Sequence, residues 1–142
     1  MVIPQVVLDT NILVSSLRSN SGAAYRLLQL VGTQKFDINL SVPLMLEYED
    51  VLYRESLQLP VSRRAIDATL DYHSAVANHH TIYFLWRPFL HDPKDDMVLE
   101  LAVAANCTYI VTYNQRDFRG IEQFGIKAVT ALEFLQIIGE RR

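Results

Sequence analysis

Oxygen-bearing side chains recur at four well-separated places in this chain, and their types point to one kind of chemistry. Asp9 ends the apolar run Val6-Val7-Leu8 and is followed by Thr10-Asn11. Glu47 lies just after Ser41-Val42-Pro43, and Asp92, Asp95 and Asp96 share the stretch Asp92-Pro93-Lys94-Asp95-Asp96. Asn114 and Asp117 follow Tyr109-Ile110-Val111-Thr112. If these groups converge, several negative charges meet within a few ångströms, and crowded carboxylates repel until one takes a proton. A divalent cation removes that conflict. Oxygen donors of this hardness select Mg²⁺ or Mn²⁺, and no Cys or His spacing suits zinc. Sites of this type commonly act on phosphates, with a metal-activated water and a stabilised leaving oxygen. Taken singly, Asp95 and Asp96 suit the first turn of a helix, Asp92 before Pro93 starts a turn, and Glu47 suits a solvated helix face. Asp9, directly after a buried strand, has no such ordinary role, and the joint pattern is what carries the argument.

The elements between these residues must bring them together. Val6 to Leu8 reads as a buried strand, which puts Asp9 outside its carboxyl end, where open α/β sheets bind ligands. Ile12 to Leu17 starts a helix that Ser19-Asn20-Ser21-Gly22 interrupts, and a second helix spans about Ala23 to Val31, closed by Gly32. Phe36 to Leu40 is a second strand. Ser41-Val42-Pro43 then starts a helix to about Arg54, with Met45, Tyr48 and Leu52 on its core face and Glu47 and Asp50 on another. A helix from about Ser62 to Asn78, the loop pair His79-His80 and a third strand from Ile82 to Trp86, ended by Pro88, follow. The next helix runs from about Asp95 to Ala105, with Val98, Leu101, Ala102 and Ala105 inward. Tyr109 to Val111 is a strand, Tyr113 to Phe118 its following loop, and Ile126 to Val129 a last strand. Ala131 to Ile138 is a last helix, capped by Thr130. This alternation predicts a three-layer α/β/α sandwich with a mostly parallel central sheet. Right-handed crossovers place every strand's C-terminus, and so every acidic corner, on one edge.

The 142 residues suit a single domain over 1–142, half of them are hydrophobic, and the formal charge is −3. That charge excludes a global field for nucleic acid, so phosphate contacts would fall to local cations. Arg18, Arg54, Lys94, Arg116 and Arg119 are the candidates, with Arg116 and Arg119 nearest the acidic corners. The one cysteine, Cys107, excludes an intramolecular disulfide and reads as a small core residue. There is no leader pattern and no apolar run that spans a bilayer, which predicts a cytoplasmic protein without membrane attachment. His73, His79, His80 and His91 show no metal-ligand spacing, and Tyr83 and Trp86 read as core or dimer-face aromatics.

Four blocks in order resemble the PIN-domain family. They are Leu8-Asp9-Thr10-Asn11, the stretch from Ser41 to Leu52 around Glu47, Asp92-Pro93-Lys94-Asp95-Asp96 with Leu99-Glu100-Leu101-Ala102, and Ile110-Val111-Thr112-Tyr113-Asn114 with Asp117-Phe118. Within that family the chain is most similar to toxin components of toxin–antitoxin pairs. The resemblance implies a Mg²⁺- or Mn²⁺-dependent endoribonuclease acting on single-stranded RNA, a homodimer, and an antitoxin protein whose segment covers the active-site groove. It carries over Asp9, Glu47 and Asp95 as catalytic, metal-binding carboxylates, with Asp95 preferred to Asp96. Asp96, Asn114 and Asp117 are further candidate ligands. By the same resemblance Thr112 orients a carboxylate and Asn11 supports Asp9. One departure stands out: many relatives carry aspartate where this chain has Asn114. An amide oxygen brings no charge, so a second metal would bind more weakly, and Asp117 is the nearest substitute. The alternative reading is therefore a catalytically weakened PIN-fold module that binds RNA or a protein partner. An aspartyl phosphatase of another α/β fold ranks below both, because Asn11 occupies the place of its usual second acid.

Overall fold

Val6, Val7, Leu8, Ile110 and Val111 are each at most 1% exposed. Strands buried on both faces belong in the interior of a parallel sheet. The computed structural model describes residues 2–82 and 89–140 and places them so. The central strand β1 (Gln5–Leu8) pairs on one side with β2 (Asp37–Leu40) and on the other with β4 (Tyr109–Val111). Beyond β2 lies β3 (Asn78–His79), and beyond β4 lies β5 (Lys127–Val129). All pairings are parallel, giving five strands in the order β3-β2-β1-β4-β5 among the described residues. Among the described residues six α-helices flank the sheet: α1 (Thr10–Arg18), α2 (Ala23–Gln29), α3 (Val42–Arg54), α4 (Arg63–Val76), α5 (Pro93–Ala104) and α6 (Ala131–Ile137). The expected α/β/α architecture is the observed one, with the sheet wholly parallel. Successive strands go one way from β1 to β3 and the other way from β4, so the topological switch lies between β1 and β4.

Local chemistry sets the helix starts. Ser41 Oγ accepts from the Leu44 N–H at 3.3 Å and Ser62 Oγ from the Ala65 N–H at 3.1 Å. Thr130 and Glu133 form a reciprocal capping box on α6. Asp9 caps α1 and Asp92 caps α5. Gly32, at φ +86°, closes the turn after α2 and lies against the Tyr72 hydroxyl, where a side chain would collide.

Several details differ from the sequence expectation. The core face of α3 is Leu44, Tyr48 and Leu52, with Met45 only partly covered. Helix α5 is withdrawn over Val98, Leu99, Glu100, Leu101 and Ala102, because it packs against the sheet and against α3. The third strand is not signalled by apolar residues: Asn78 and His79 are exposed and pair through the backbone, so His79 is a strand residue and the helix before it stops at Val76. Of the expected strand from Ile82 to Trp86, residues 83–86 lie outside the described residues, as does Pro88, and with them the packing of Tyr83 and Trp86. Gln5 ties this edge together by donating to Asp37 Oδ2 at 2.9 Å and accepting from Asn39 at 3.1 Å and Asn78 at 3.2 Å. Cys107 is buried, and burial pushes its thiol up to about 12. Among the described residues no helix is long and apolar enough to cross a membrane.

His73, on α4, is 1% exposed and neither ring nitrogen has a well-formed hydrogen bond. Burial lowers its pKa from 6.5 to about 4, with the Thr69 backbone opposing only in part. The unfolded chain therefore takes up this proton first. The penalty is absent above pH 6.5 and grows as the pH falls toward 4, at roughly 1.4 kcal/mol per unit. Denaturant titrations of wild type and His73→Leu at pH 7 and pH 4.5 should differ accordingly. The variant should lose about 2 kcal/mol less between the two pH values.

Candidate active site

Asp9 leaves β1 at the switch between β1 and β4, and its backbone N–H still reaches the Val111 carbonyl at 2.9 Å. Its side chain is held from several directions. Oδ1 accepts from the Thr10 N–H at 2.9 Å, and Oδ2 accepts from the Thr112 hydroxyl at 2.8 Å and from Asn11 Nδ2 at 3.4 Å. Thr112 is fully buried, and its oxygen also accepts from the Asn114 N–H at 3.0 Å and from Asn11 at 3.4 Å. Asn11 Oδ1 takes the Tyr113 N–H at 3.2 Å, so the turn after β4 is fastened to the turn after β1. Below, the buried Tyr48 hydroxyl donates to the Leu8 carbonyl at 2.6 Å. Despite these donors the Asp9 pKa is raised, first by burial and then by the charges of Glu47 and Asp117.

The other acids approach from separate elements. Glu47, on the second turn of α3, has Lys94 Nζ 3.9 Å from its Oε1. Asp95, in the first turn of α5, has its pKa raised to about 7 by burial, then by Asp9, Asp92, Asp117 and Asp96. Asp9, Glu47, Asp92, Asp95 and Asn114 line one cleft of about 460 Å³. Asp117 does not line the cleft but is within electrostatic reach of Asp9 and Asp95. Asp96 turns away: it is 2% exposed, and its Oδ1 accepts from the backbone N–H of Leu90 at 2.8 Å and of Phe89 at 3.4 Å.

Beyond Asn11, Arg18 and Lys94, which the sequence already offers as candidates, the cleft has lining that the spacing of the acidic residues does not signal. One face of α1 supplies Thr10, Asn11, Val14, Ser15 and Arg18, and one stripe of α3 with the residue after it supplies Glu47, Val51 and Glu55. Tyr113 stands partly exposed at the wall. The cations that line the cleft are Arg18 and Lys94, not Arg116 or Arg119. The signal was present as helical spacing in both segments, but only contact between α1 and α3 turns two stripes into one groove.

Five carboxylates face two cations in this cleft, and each cation already sits beside a glutamate. Among the described residues no three His, Cys, Asp or Glu side chains are close enough together to hold an ion. The donor chemistry nevertheless fits a hard cation: the candidate side chains offer oxygen atoms, and burial, followed by neighbouring carboxylates, raises the pKa of Asp9 and Asp95.

A family model for the PIN domain matches residues 5–116 of the chain. Among solved structures, the fold is similar to that of a chain in the crystal structure of VapBC2 from Rickettsia felis bound to a DNA fragment from their promoter. The TM-score is 0.61 at 16% identity, over 89% of this chain and 98% of that one. No curated protein matches the chain.

The crowding at Asp95 has a measurable sign. Its folded pKa lies above its unfolded one, so its negative charge costs stability as the pH rises from about 4 through 7. In EDTA, Asp95→Asn should melt higher than wild type at pH 8 and at nearly the same temperature at pH 4.5. Thermal melts at the two pH values check this.

Proposed function

Because the chain belongs to the PIN-domain family, we propose that it is a Mg²⁺- or Mn²⁺-dependent endoribonuclease that hydrolyses single-stranded RNA, and the toxin of a toxin–antitoxin pair. The observation that carries this reading is the convergence of Asp9, Glu47 and Asp95 from three elements onto one uncompensated acidic cleft. In this reading Asp9, Glu47 and Asp95 hold the cation, with Asn114 and Asp117 beside them. The bound cation supplies an activated water and neutralises charge on the leaving oxygen. Thr112 and Asn11 fix the Asp9 carboxylate so that one oxygen direction stays open to the cleft. Lys94 is free to leave Glu47 for a phosphate, since their contact is long and the ammonium largely exposed. Tyr113 offers an aromatic face to an unstacked base, which favours single strands over duplex. Asp96 serves the framework, tying the first turn of α5 to Leu90.

The likeness of the fold to a chain of VapBC2 supports a protein partner here. Such an antitoxin would cover the same cleft with a segment that brings cations to it. A second reading, a PIN-fold module that binds RNA or a partner without cutting, is favoured by Asn114, which puts an amide where a carboxylate would add charge.

Incubating a mixed RNA pool with Mg²⁺ or Mn²⁺ separates the two. The nuclease reading expects products with 5′-phosphate and 3′-hydroxyl ends. Asp9→Asn should lower the rate by about a hundredfold or more, and Thr112→Val by about tenfold, the scale for groups that hold or orient a ligand. RNA binding without products under either ion would favour the second reading. Growth arrest on expression, relieved by Asp9→Asn, tests the toxin role.

A further inference from the structure

The cleft continues well past its carboxylates. From Thr10 to Arg18 the chain climbs eight residues of α1, a rise of about 12 Å, so Arg18 marks a far end that is separate from the acidic one. Val14 and Val51 face the cleft between the two ends. At the far end Arg18 Nη2 lies 3.1 Å from Glu55 Oε1, joining the last residue of α1 to the residue after α3. The two side chains are 59% and 36% exposed. An ion pair so open to water adds little stability, so the guanidinium can change partners at small cost. A phosphodiester offers the same planar fork a charged, bidentate acceptor. Held at Glu55, beyond the end of α3, the guanidinium is placed for a different phosphate from the one that reacts beside Asp9. Resting on the reading of the cleft as an RNA site, we propose that Arg18 forms a distal phosphate subsite. It holds a backbone phosphate at least one nucleotide from the cleaved bond, and Glu55 is the competing anion that occupies it when RNA is absent. The apolar floor at Val14 and Val51 then lies under the intervening nucleoside. This gives the acidic end a remote anchor, which it needs because its own charge repels the backbone.

The test is anisotropy with a fluorescein-labelled single-stranded RNA in EDTA, where no cleavage interferes. Arg18→Ala should weaken binding about fivefold and lower the slope of log K against log salt by about 0.7, one phosphate contact on a single strand. Glu55→Gln should tighten binding, an opposite sign that misfolding does not produce. Arg64→Ala, which removes an exposed positive charge outside the cleft, should change nothing. Wild-type affinity in Arg18→Ala, an equal loss in Arg64→Ala, or weaker binding in Glu55→Gln would each overturn the subsite. If Asp9→Asn stops cleavage while Arg18→Ala binds normally, the subsite alone is lost. If cleavage survives Asp9→Asn while Arg18 and Glu55 behave as stated, the catalytic reading fails and the subsite stands. A wild-type chain that binds no RNA in EDTA overturns the subsite, and cleavage with Mg²⁺ or Mn²⁺ then decides the catalytic reading by itself.

Discussion

A carboxylate at the end of a strand that is buried on both faces has lost most of its water and must be given donors in return. The hydroxyl of Thr112 does this for Asp9, at 2.8 Å, and it can do so only because β1 and β4 are neighbours in parallel register. Leu8 sits opposite Val111, so the residues that follow each strand emerge side by side. The turn geometry around them follows from the same pairing: Asn11 and the Tyr113 and Asn114 N–H groups all close onto this corner. Take away the pairing of β1 with β4 and Asp9 loses Thr112, and the turn carrying Asn114 loses its place beside it.

What the fold assembles around that corner is an imbalance. The donors on Asp9 lower its pKa and still lose to burial, and Asp95 carries a larger upward shift with four other carboxylates acting on it. Each cation of the cleft is paired with a glutamate, Arg18 with Glu55 at the far end and Lys94 with Glu47 near the aspartates. The molecule thus sets five carboxylates against two cations in one cleft. For a protein of mildly acidic net charge, this is how an anionic polymer could be approached at all: through two local contacts, with the repulsive centre left to a cation.

Much of this was legible in the residues. Val6 to Leu8 and Tyr109 to Val111 announce themselves as strands by unbroken apolar character, and Ser41, Ser62 and Thr130 mark helix starts by their side-chain chemistry. The corner residues follow from those boundaries. Strand β3 was not legible, because Asn78 and His79 join the sheet edge through backbone pairing and the side chains of Gln5 and Asn39, which leave no hydrophobic trace. Nor does a first helical turn say which of two adjacent aspartates looks outward. Asp95 and Asp96 differ only in that Asp96 meets the Leu90 N–H, a contact made by the path of the preceding segment. Arg18 was legible as one of five candidate cations, but its place in the cleft depends on the packing of α1 against α3. His73 shows the opposite limit: its burial is a matter of helix face, while the weak hydrogen bonding of its ring is set by what packs around it.

The bond between Thr112 and Asp9 joins residues 103 positions apart. A chain made from its N-terminus forms near contacts first and distant ones last, since each must wait for the intervening loop to exist and close. Strand β2 can find β1 early in synthesis, but the β4 side of β1 stays bare until residues 109–111 have been made. Throughout that interval Asp9 is present without its orienting hydroxyl, and Glu47 without Asp95. The acidic corner is therefore among the last features to mature as the chain leaves the ribosome, and a nascent chain carries its residues well before it carries its site.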